Sequence, residues 1–373
     1  MTAFALTARQ LARRTELRTL AAERLRPLAE KGEPGRVNRP LVAELGRLGL
    51  LRGLFTAGAL DLCLTREALA YACTEAETAF ALQGLGAHPV HAYGTDAQRA
   101  RWLPEVTAGE AVAAFALSEP GAGSDAAALT LRADRDGTGR WRLTGEKCWI
   151  SNAPEADFCT VFARTTPGAG ARGVTAFLVP ADRPGLTGTP LDMLSPHPVG
   201  TLALDAVPVT ADDVLGTPDR GFRVAMTTLG LFRPSVGAFA VGMAQAALDA
   251  TVGHTSRRDA FGGKLKDLQT VAHQVAEMAV RTEAARLMVY AAAAAHDEGA
   301  PDAPDVPMRA AMAKLLATET AQYVVDAAVQ LHGARALRRG HLLEHLYREV
   351  RAPRIYEGAS EVQRGIIAKE LYR

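Results

Sequence analysis

A single carboxylate could do chemistry near the end of the chain, in the segment RIYEGASEVQRGIIAKEL at residues 354–371. Glu357 stands between a tyrosine and a glycine, directly before a predicted helix. Ser360 and Gln363 give that helix the pattern of a capping box. A carboxylate on such a loop can act as a general base when water is excluded from it. It can also be a surface acid that suits the positive end of the helix dipole, and the segment alone favours this second interpretation.

Two glycine-containing segments could bind phosphate groups. GAGSDA at residues 121–126 nearly matches the G-x-G-x-x-G/A dinucleotide fingerprint. That fingerprint requires a helix after it, whereas the residues that follow predict a strand and a hairpin, so we reject a Rossmann site. SRRDAFGGKLKDLQTV at residues 256–271 places Arg258 between two predicted helices. Its guanidinium could pair with a phosphate or simply stabilise a helix end.

The segment HLLEH at residues 341–345 matches an inverted zinc-protease motif. His341 and His345 would lie on one helix face and hold zinc, with Glu344 as the base. A five-letter match is weak evidence, and the surrounding residues predict a surface helix. The motif therefore supports only a remote alternative, a zinc hydrolase.

Composition and charge exclude several classes of function. The 373 residues carry 42 basic and 41 acidic side chains, a net charge of +1, and the mean hydropathy is close to zero. This balance predicts a globular protein that binds neither nucleic acid nor an anionic membrane. The most apolar stretch is interrupted by Arg233 and Pro234, which argues against a membrane span. Four scattered cysteines without a C-x-x-C pair predict a reducing compartment, the cytoplasm.

Three consecutive segments of the chain differ in composition and in the spacing of apolar residues, and the elements that they predict would position these residues. Residues 1–112 are rich in alanine and leucine at helical spacing and predict an all-α domain. Residues 113–215 contain short β-type runs between Gly and Pro clusters and predict a small antiparallel barrel or sandwich. Residues 216–373 predict a helical bundle, with a long helix over 306–331 and an apolar stripe before it. The stripe comprises Leu268, Val271, Val275, Met278, Ala285, Met288 and Val289.

Four blocks together resemble the acyl-CoA dehydrogenase family of flavoenzymes, in the family's order and at about its spacing. The blocks are FALSEPGAGSD at 115–125, GEKCWISN at 145–152, RDAFGGKLKDLQ at 258–269, and QLHGA at 330–334 leading to IYEGASEVQR at 355–364. The resemblance implies an α+β, mainly α fold with an N-terminal helical domain, a middle β-domain and a C-terminal four-helix bundle. It also implies a homotetramer that binds one FAD per subunit at a subunit boundary.

The resemblance further assigns residues to the cofactor and to the substrate. The residues that match positions around the flavin ring are Phe115, Leu117, Ser118, Trp149 and Ser151. The residues that match positions at the FAD of a neighbouring subunit, including its adenosine end, are Arg258, Phe261, Gln269, Gln330, Gly333 and Ala334. The substrate-side positions match Ser124, Arg233, Tyr356 and Gly358. The resemblance implies no metal.

Glu357 matches the family's catalytic base. The implied reaction removes the α-proton of an acyl-CoA thioester and transfers the β-hydrogen as hydride to flavin N5, which gives a trans-2-enoyl thioester. Burial should raise the pKa of Glu357 and the helix end should lower it, and we expect burial to dominate once a bound substrate excludes water. The resemblance also suggests an electron-transfer flavoprotein as the acceptor, and it leaves the acyl chain length open.

Three positions depart from the family's pattern. Gly230 stands three residues before Arg233, where an acidic residue is common, which puts the usual contact near the CoA portion in doubt. Ala334 replaces the second of two glycines and could crowd the adenosine end of FAD. Ala359 replaces a threonine near the flavin. These departures leave Glu357 and the flavin face in place.

Several alternatives stay open beside the leading interpretation. The substrate could be an acyl group on an acyl-carrier protein, as the absence of an acid at Gly230 would allow. An oxygen-using flavoprotein of the same fold is a second alternative, although a monooxygenase would not need Glu357. A helical scaffold that has lost its cofactor is a third, from a different class of protein.

Overall fold

The computed structural model describes residues 6–137, 139–299 and 305–373. The α-helices are α1 Ala8–Leu20, α2 Arg26–Ala29, α3 Arg39–Arg47, α4 Leu50–Thr56, α5 Ala59–Ala72, α6 Thr74–Tyr93, α7 Asp96–Ala108, α8 Gly221–Arg257, α9 Gln269–Glu298, α10 Val306–His332, α11 Leu342–Glu349 and α12 Ser360–Leu371. The strands are β1 Ala113–Ala116, β2 Arg132–Arg135, β3 Trp141–Ser151, β4 Phe158–Arg164, β5 Val174–Pro180, β6 Leu186–Pro190, β7 Val199–Val209, β8 Val214–Leu215, β9 Asp259–Ala260 and β10 Gly263–Lys264. The long helix predicted over 306–331 is confirmed as α10.

The chain folds into two compact units, whose limits differ from those of the three segments predicted from the sequence. The helical unit comprises the described residues up to Arg26, then residues 58–77 and 230–373, and the second unit comprises residues 27–57 and 78–229. Strands β1 to β8 all fall between Ala113 and Leu215, the segment in which short β-type runs alternate with Gly and Pro clusters. The division into three consecutive domains stays a prediction.

The helical unit has an alanine-rich core formed by α5, α8, α9, α10 and α11, with Phe239 among its larger members. Small alanine side chains let helices approach one another closely. The predicted apolar stripe of α9 is buried at Met278, Ala285 and Val289. Met288 departs from it and is 37% exposed, because it lies one residue before Val289 and so about 100° around the helix.

The second unit is built on a sheet of eight strands. Seven strands pair in the order β6-β7-β3-β2-β4-β5-β8, and β1 pairs with β4. Most neighbours are antiparallel, as predicted, but β1 and β2 each run parallel to β4. A parallel pair needs a crossover connection, and the chain between β1 and β4 provides it by forming β2 and β3. The core of the unit includes Phe158 of β4, which packs on Trp102 of α7 with ring centroids 4.6 Å apart.

Helix α8 is long and apolar enough to span a membrane by length and composition, which the sequence-based rejection of this region did not anticipate. Its most apolar 18-residue window has a mean hydropathy of 1.3. However, 72% of that window is buried inside the structure, as in the core helix of a globular protein. This helix is therefore weak evidence for a membrane span.

Candidate active site

Glu357 lies in a loop whose backbone adopts a rarely populated conformation. Its φ is 51°, and the φ of Gly358 is 96°, so two successive residues are in the left-handed region. A non-glycine residue is strained there and keeps that conformation only when its surroundings fix it. The contacts of this loop therefore show what holds the predicted base in place.

Side chains from three helices bind the two carbonyl groups of the loop. Nε of Arg233, on α8, donates to O of Glu357 at 3.4 Å. Nζ of Lys314, on α10, donates to O of Gly358 at 2.7 Å. Nε2 of Gln363, on α12, donates to the same oxygen at 2.9 Å. The structure thus brings the predicted base and the predicted substrate residue Arg233 together, and it adds Lys314, which the sequence analysis missed.

The capping box predicted for α12 is wrong. The helix begins at Ser360, its N-cap is Ala359, and no side chain caps it. Oγ of Ser360 instead donates to Oε1 of Glu319 at 2.6 Å, and Arg354 holds the same carboxylate at 2.9 Å. A hydroxyl binds a charged carboxylate more strongly than a neutral partner. This tertiary contact replaces the local one and leaves the Gln363 amide to bind the loop carbonyls.

The carboxylate of Glu357 is largely withdrawn from water. Its Oε2 is buried and has no hydrogen-bond partner among the described residues. Loss of hydration raises the pKa of Glu357 above its usual value. Three positive charges oppose that rise, from Arg66, Lys314 and Arg233. Burial outweighs these charges even without a substrate, and the opposing influence comes from these cations rather than from the helix end.

A buried ion pair lies close to the base. Arg66, on α5, binds the carboxylate of Glu77 near the start of α6, and its Nη1 donates to Oγ of Ser235 at 2.7 Å. Arg66 is 3% exposed and Glu77 is 1% exposed. Of the three cations, Arg66 has the largest effect on the pKa of Glu357. Its guanidinium therefore lies within electrostatic reach of the predicted base.

Tyr356 precedes Glu357 in the base loop and interacts electrostatically with the Arg66–Glu77 ion pair. Burial raises the pKa of its phenol well above the usual value, and Glu77, Arg66 and Glu357 are among the charges that act on it. Tyr356 as a whole is 37% exposed. Arg66 and Glu77 are not among the residues predicted from the sequence, although both stand out as charged residues within the apolar run CLTREALAYACTEAETAFAL.

In the second unit, two segments that resemble flavin-binding blocks lie side by side. N of Cys148 donates to O of Ser118 at 3.1 Å. Nζ of Lys147 lies 2.9 Å from both O of Leu117 and Oε1 of Glu119. Lys147 is fully buried, so this ion pair and hydrogen bond anchor β3 to the segment that follows β1. The anchor holds Leu117 and Ser118 next to the strand that carries Trp149.

The indole of Trp149 is exposed beside that anchor. The residue is 57% exposed and its φ of 61° is left-handed. It lies where the register of β3 against β7 shifts, between Lys147 and Ile150, and such a bulge re-aims a side chain. Phe115 lies on β1, which contacts β3, and Ser151 ends β3. An exposed indole held in this way fits a flat aromatic ring such as that of FAD, which could stack on it.

The residues that match the FAD positions of a neighbouring subunit belong to the helical unit and are all exposed. They are Arg258, Phe261, Gln269, Gln330, Gly333 and Ala334. His254 on α8 stacks on His332 at the end of α10 with ring centroids 4.2 Å apart, which brings the chain before Arg258 close to Gly333. Phe261, in the turn between β9 and β10, is 91% exposed. Exposure of so large a ring suits contact with another molecule.

The GAGSDA segment is a turn and not a dinucleotide site. Residues 126–128 form one 3-10 turn, and strand β2 follows, so the rejection of a Rossmann site is confirmed. Ser124, the predicted substrate residue of this segment, is exposed. Its role stays a prediction.

The zinc interpretation of HLLEH finds no support in the geometry. Nδ1 of His341 accepts the N–H of Leu343 and so caps α11. Nε2 of His345 lies 2.6 Å from Oγ1 of Thr74, and Glu344 binds an arginine one turn later on the same helix. Among the residues that the structure describes, no group of three or more His, Cys, Asp or Glu side chains could hold a metal ion. The two histidines take part in the fold.

Models of one protein family match almost the whole chain. The model for "Acyl-CoA dehydrogenase, N-terminal domain" matches residues 7–110. The model for the middle domain matches residues 114–207, and that for the C-terminal domain matches residues 219–372. The matches follow one another in the order that the four sequence blocks predict.

Individual proteins of known name agree with the family models. The short-chain specific acyl-CoA dehydrogenase, mitochondrial, of Bos taurus is 37% identical over 378 residues, which cover 98% of this chain and 90% of that relative. The solved structure of butyryl-CoA dehydrogenase from Megasphaera elsdenii superposes with a TM-score of 0.92 at 31% identity and covers 99% of this chain and 100% of that one. The FAD complex of PigA superposes with a TM-score of 0.91 at 26% identity and covers 99% of each chain. FAD is the cofactor of the family, and the chain belongs to the acyl-CoA dehydrogenases, which are flavin-dependent oxidoreductases.

Proposed function

We propose that the protein catalyses the α,β-dehydrogenation of an acyl thioester with Glu357 as the base. One observation carries the proposal. Oε2 of Glu357 is buried without a partner in the described structure, on a loop held in a strained conformation. A buried carboxylate oxygen without a hydrogen bond is unfavourable, and such groups are rare unless they serve a function or meet a ligand. The α-proton of a bound thioester is the partner that this group would take.

The reaction breaks two C–H bonds of the substrate. Glu357 accepts the α-proton as a general base and becomes neutral, while a double bond forms between the α and β carbons. When bound, FAD supplies the acceptor for the β-hydrogen, which leaves with its electron pair. Arg66, Lys314 and Arg233 stabilise the ionised carboxylate before it accepts the proton, and burial opposes them. Burial thereby makes the carboxylate a stronger base, and the three cations limit the rise of its pKa.

The proposed FAD site combines residues around the flavin ring with residues that a neighbouring subunit contributes. Trp149 and the backbone of residues 115–118 would lie against the flavin ring, together with Ser151. Arg258, Phe261 and Gln269 would meet the FAD of a neighbouring subunit in a homotetramer, and Gln330, Gly333 and Ala334 its adenosine end. Their exposure in the single chain supports this assignment.

We further propose a short acyl chain as the substrate group. Two similar proteins are named as a short-chain specific acyl-CoA dehydrogenase and as butyryl-CoA dehydrogenase. The names of these two relatives are the support for a short acyl group in this chain.

The carrier of the acyl group, the acceptor and the compartment are also proposals. Coenzyme A is the carrier that the family favours, and an acyl-carrier protein is the alternative. A side chain at Gly230 would meet nothing within 4 Å, so the missing acid leaves open space there. An electron-transfer flavoprotein as the acceptor and a cytoplasmic location complete the proposal.

Anaerobic addition of thioesters to the FAD-loaded protein tests the proposed reaction. The panel comprises butyryl-CoA, glutaryl-CoA, octanoyl-CoA, palmitoyl-CoA and butyryl-acyl-carrier protein, and the readout is the visible absorbance of the flavin. We expect butyryl-CoA to bleach the flavin fastest. Bleaching by the carrier-protein thioester alone would change the proposed carrier, and a flavin that no thioester bleaches would refute the proposed reaction.

A further inference from the structure

Lys314 is a buried cation that matches none of the catalytic, cofactor or substrate positions assigned from the sequence. It lies on α10 and is fully buried. Its described contact is the carbonyl of Gly358, which Nζ binds at 2.7 Å. The other fully buried lysine, Lys147, lies 2.9 Å from the carboxylate of Glu119. Lys314 thus differs from Lys147, because its ammonium binds a backbone carbonyl in the base loop.

A buried ammonium is unfavourable unless nearby charges compensate it. Burial lowers the pKa of Lys314 to about 8, and the negative charge of Glu357 is the largest influence that raises it. The other charges that act on Lys314 are those of Arg233, Glu319 and Glu361. The lysine and the proposed base therefore stabilise each other's charged forms.

The contact acts on the strained part of the loop. The Gly358 carbonyl belongs to the second of two residues in the left-handed region, and Glu357 is the first. Lys314 comes from a helix that also packs against α12, so it links the loop to the rigid bundle core. A hydrogen bond from a charged donor is stronger than one between neutral groups, which suits a contact that must hold strain.

We propose that Lys314 is a positioning residue for Glu357, which fixes the loop through the Gly358 carbonyl and keeps the carboxylate of Glu357 ionised through its charge. The inference rests on the proposed role of Glu357 as the base. Lys314 itself would not touch the reacting carbon atoms. Its two effects, one on geometry and one on charge, can be separated by substitution.

The pH dependence of flavin reduction separates these effects. Besides Lys314, three groups interact electrostatically with Glu357 and stay unchanged in the variants: Arg66 on α5, Arg233 on α8 and Tyr356 in the loop. Removing the Lys314 charge raises the pKa of Glu357, because that charge lowers it in the native protein. A smaller fraction of the base is then ionised at low pH, so the rate falls most on the acidic side.

The test compares Lys314→Met and Lys314→Arg with the native FAD-loaded protein in anaerobic stopped-flow reduction by butyryl-CoA from pH 5.5 to 9. For Lys314→Met we expect a rate about 10- to 100-fold lower at pH 7 and a nearly unchanged Kd for the thioester. The acid limb of the pH profile, which is the fall of the rate at low pH, should lie at higher pH than in the native protein. Lys314→Arg keeps the charge but not the contact geometry. It should lower the rate with little movement of the acid limb.

Thr318→Val is the matched control, because Thr318 lies one turn further along α10, is fully buried and donates to O of Lys314. It should lower thermal stability and leave the pH profile unchanged. An unmoved acid limb and an unchanged rate in Lys314→Met would overturn the proposal. If Lys314→Met does not fold, Lys314→Gln replaces it, and failure of both to fold would assign the lysine to the fold and equally overturn the proposal. A native protein that none of the thioesters in the panel above reduces would instead refute the proposed function, so the two failures are distinguishable.

Discussion

Replacement of Arg66 tests the buried ion pair that lies close to the proposed base. Arg66→Met would leave the Glu77 carboxylate, which is 1% exposed, without the guanidinium that now binds it. Breaking a buried ion pair from one side costs about 3–5 kcal/mol, because a charge stays buried without its counter-charge. Loss of the 2.7 Å hydrogen bond to Ser235 adds about 1 kcal/mol. We therefore expect a loss of about 4–6 kcal/mol in the free energy of unfolding.

The double variant Arg66→Met/Glu77→Met is the control for this prediction. It removes both charges and fills similar volumes, and such replacements are often neutral or stabilising. Most of the loss should therefore be recovered. Urea unfolding of the whole protein, followed by circular dichroism at 222 nm, gives both values. A single variant that costs less than about 1 kcal/mol would show that the pair is hydrated or weak, contrary to its burial.

The same double variant tests the electrostatic effect of Arg66 on the proposed base. Arg66 lowers the pKa of Glu357, so the fall of the flavin-reduction rate at low pH should begin at a higher pH in the variant than in the native protein. Anaerobic reduction by butyryl-CoA over the pH range used for the Lys314 variants measures this shift. An unchanged pH profile would mean that the charge of Arg66 does not act on Glu357.

Three further predictions concern the loop, the cofactor and pH. Gly358→Ala should destabilise the protein by about 1–3 kcal/mol and slow flavin reduction. The φ of Gly358 is +96°, and a Cβ there would lie 2.2 Å from Nε2 of Gln363. A fully active and equally stable variant would contradict this prediction. Arg258→Ala should lower FAD retention on gel filtration and weaken the tetramer, and unchanged flavin content would remove Arg258 from the site. The rate of reduction should fall as pH falls through the raised pKa of Glu357, so its acid limb should lie above pH 4.5, and a rate that is flat down to that pH would contradict the burial of the carboxylate.

The sequence predicts those features of the fold that local patterns determine. Gly and Pro clusters between short β-type runs place the strands between Ala113 and Leu215, and helical spacing gives α10 almost to the residue. Local patterns fail where a distant partner competes. The capping box at Ser360 is a valid local pattern, but the carboxylate of Glu319, forty-one residues away, takes the hydroxyl instead. The parallel pairing of β1 with β4 likewise depends on contacts between distant parts of the chain.

The surroundings of Glu357 show the same limit at the candidate site. The resemblance singles out Glu357 and Arg233, and the structure brings them into contact. It could not single out Lys314 or the Arg66–Glu77 pair, because their proximity to Glu357 arises from the packing of α5, α6, α8 and α10. Arg66 and Ser235 are 169 residues apart in the chain and are joined by one hydrogen bond. Single-sequence patterns give residue types and local spacing, but they do not give such pairings.

The most direct test of the central claim is the rate of flavin reduction by butyryl-CoA in the native protein and in Glu357→Gln, measured anaerobically in one turnover. Glutamine keeps the size of the side chain and cannot accept the α-proton, so FAD content and thioester Kd should stay close to native. The rate should fall at least about 10²- to 10⁴-fold, the contribution expected of a general base. A Glu357→Gln protein that binds FAD and is reduced at the native rate would contradict the assignment of Glu357 as the base.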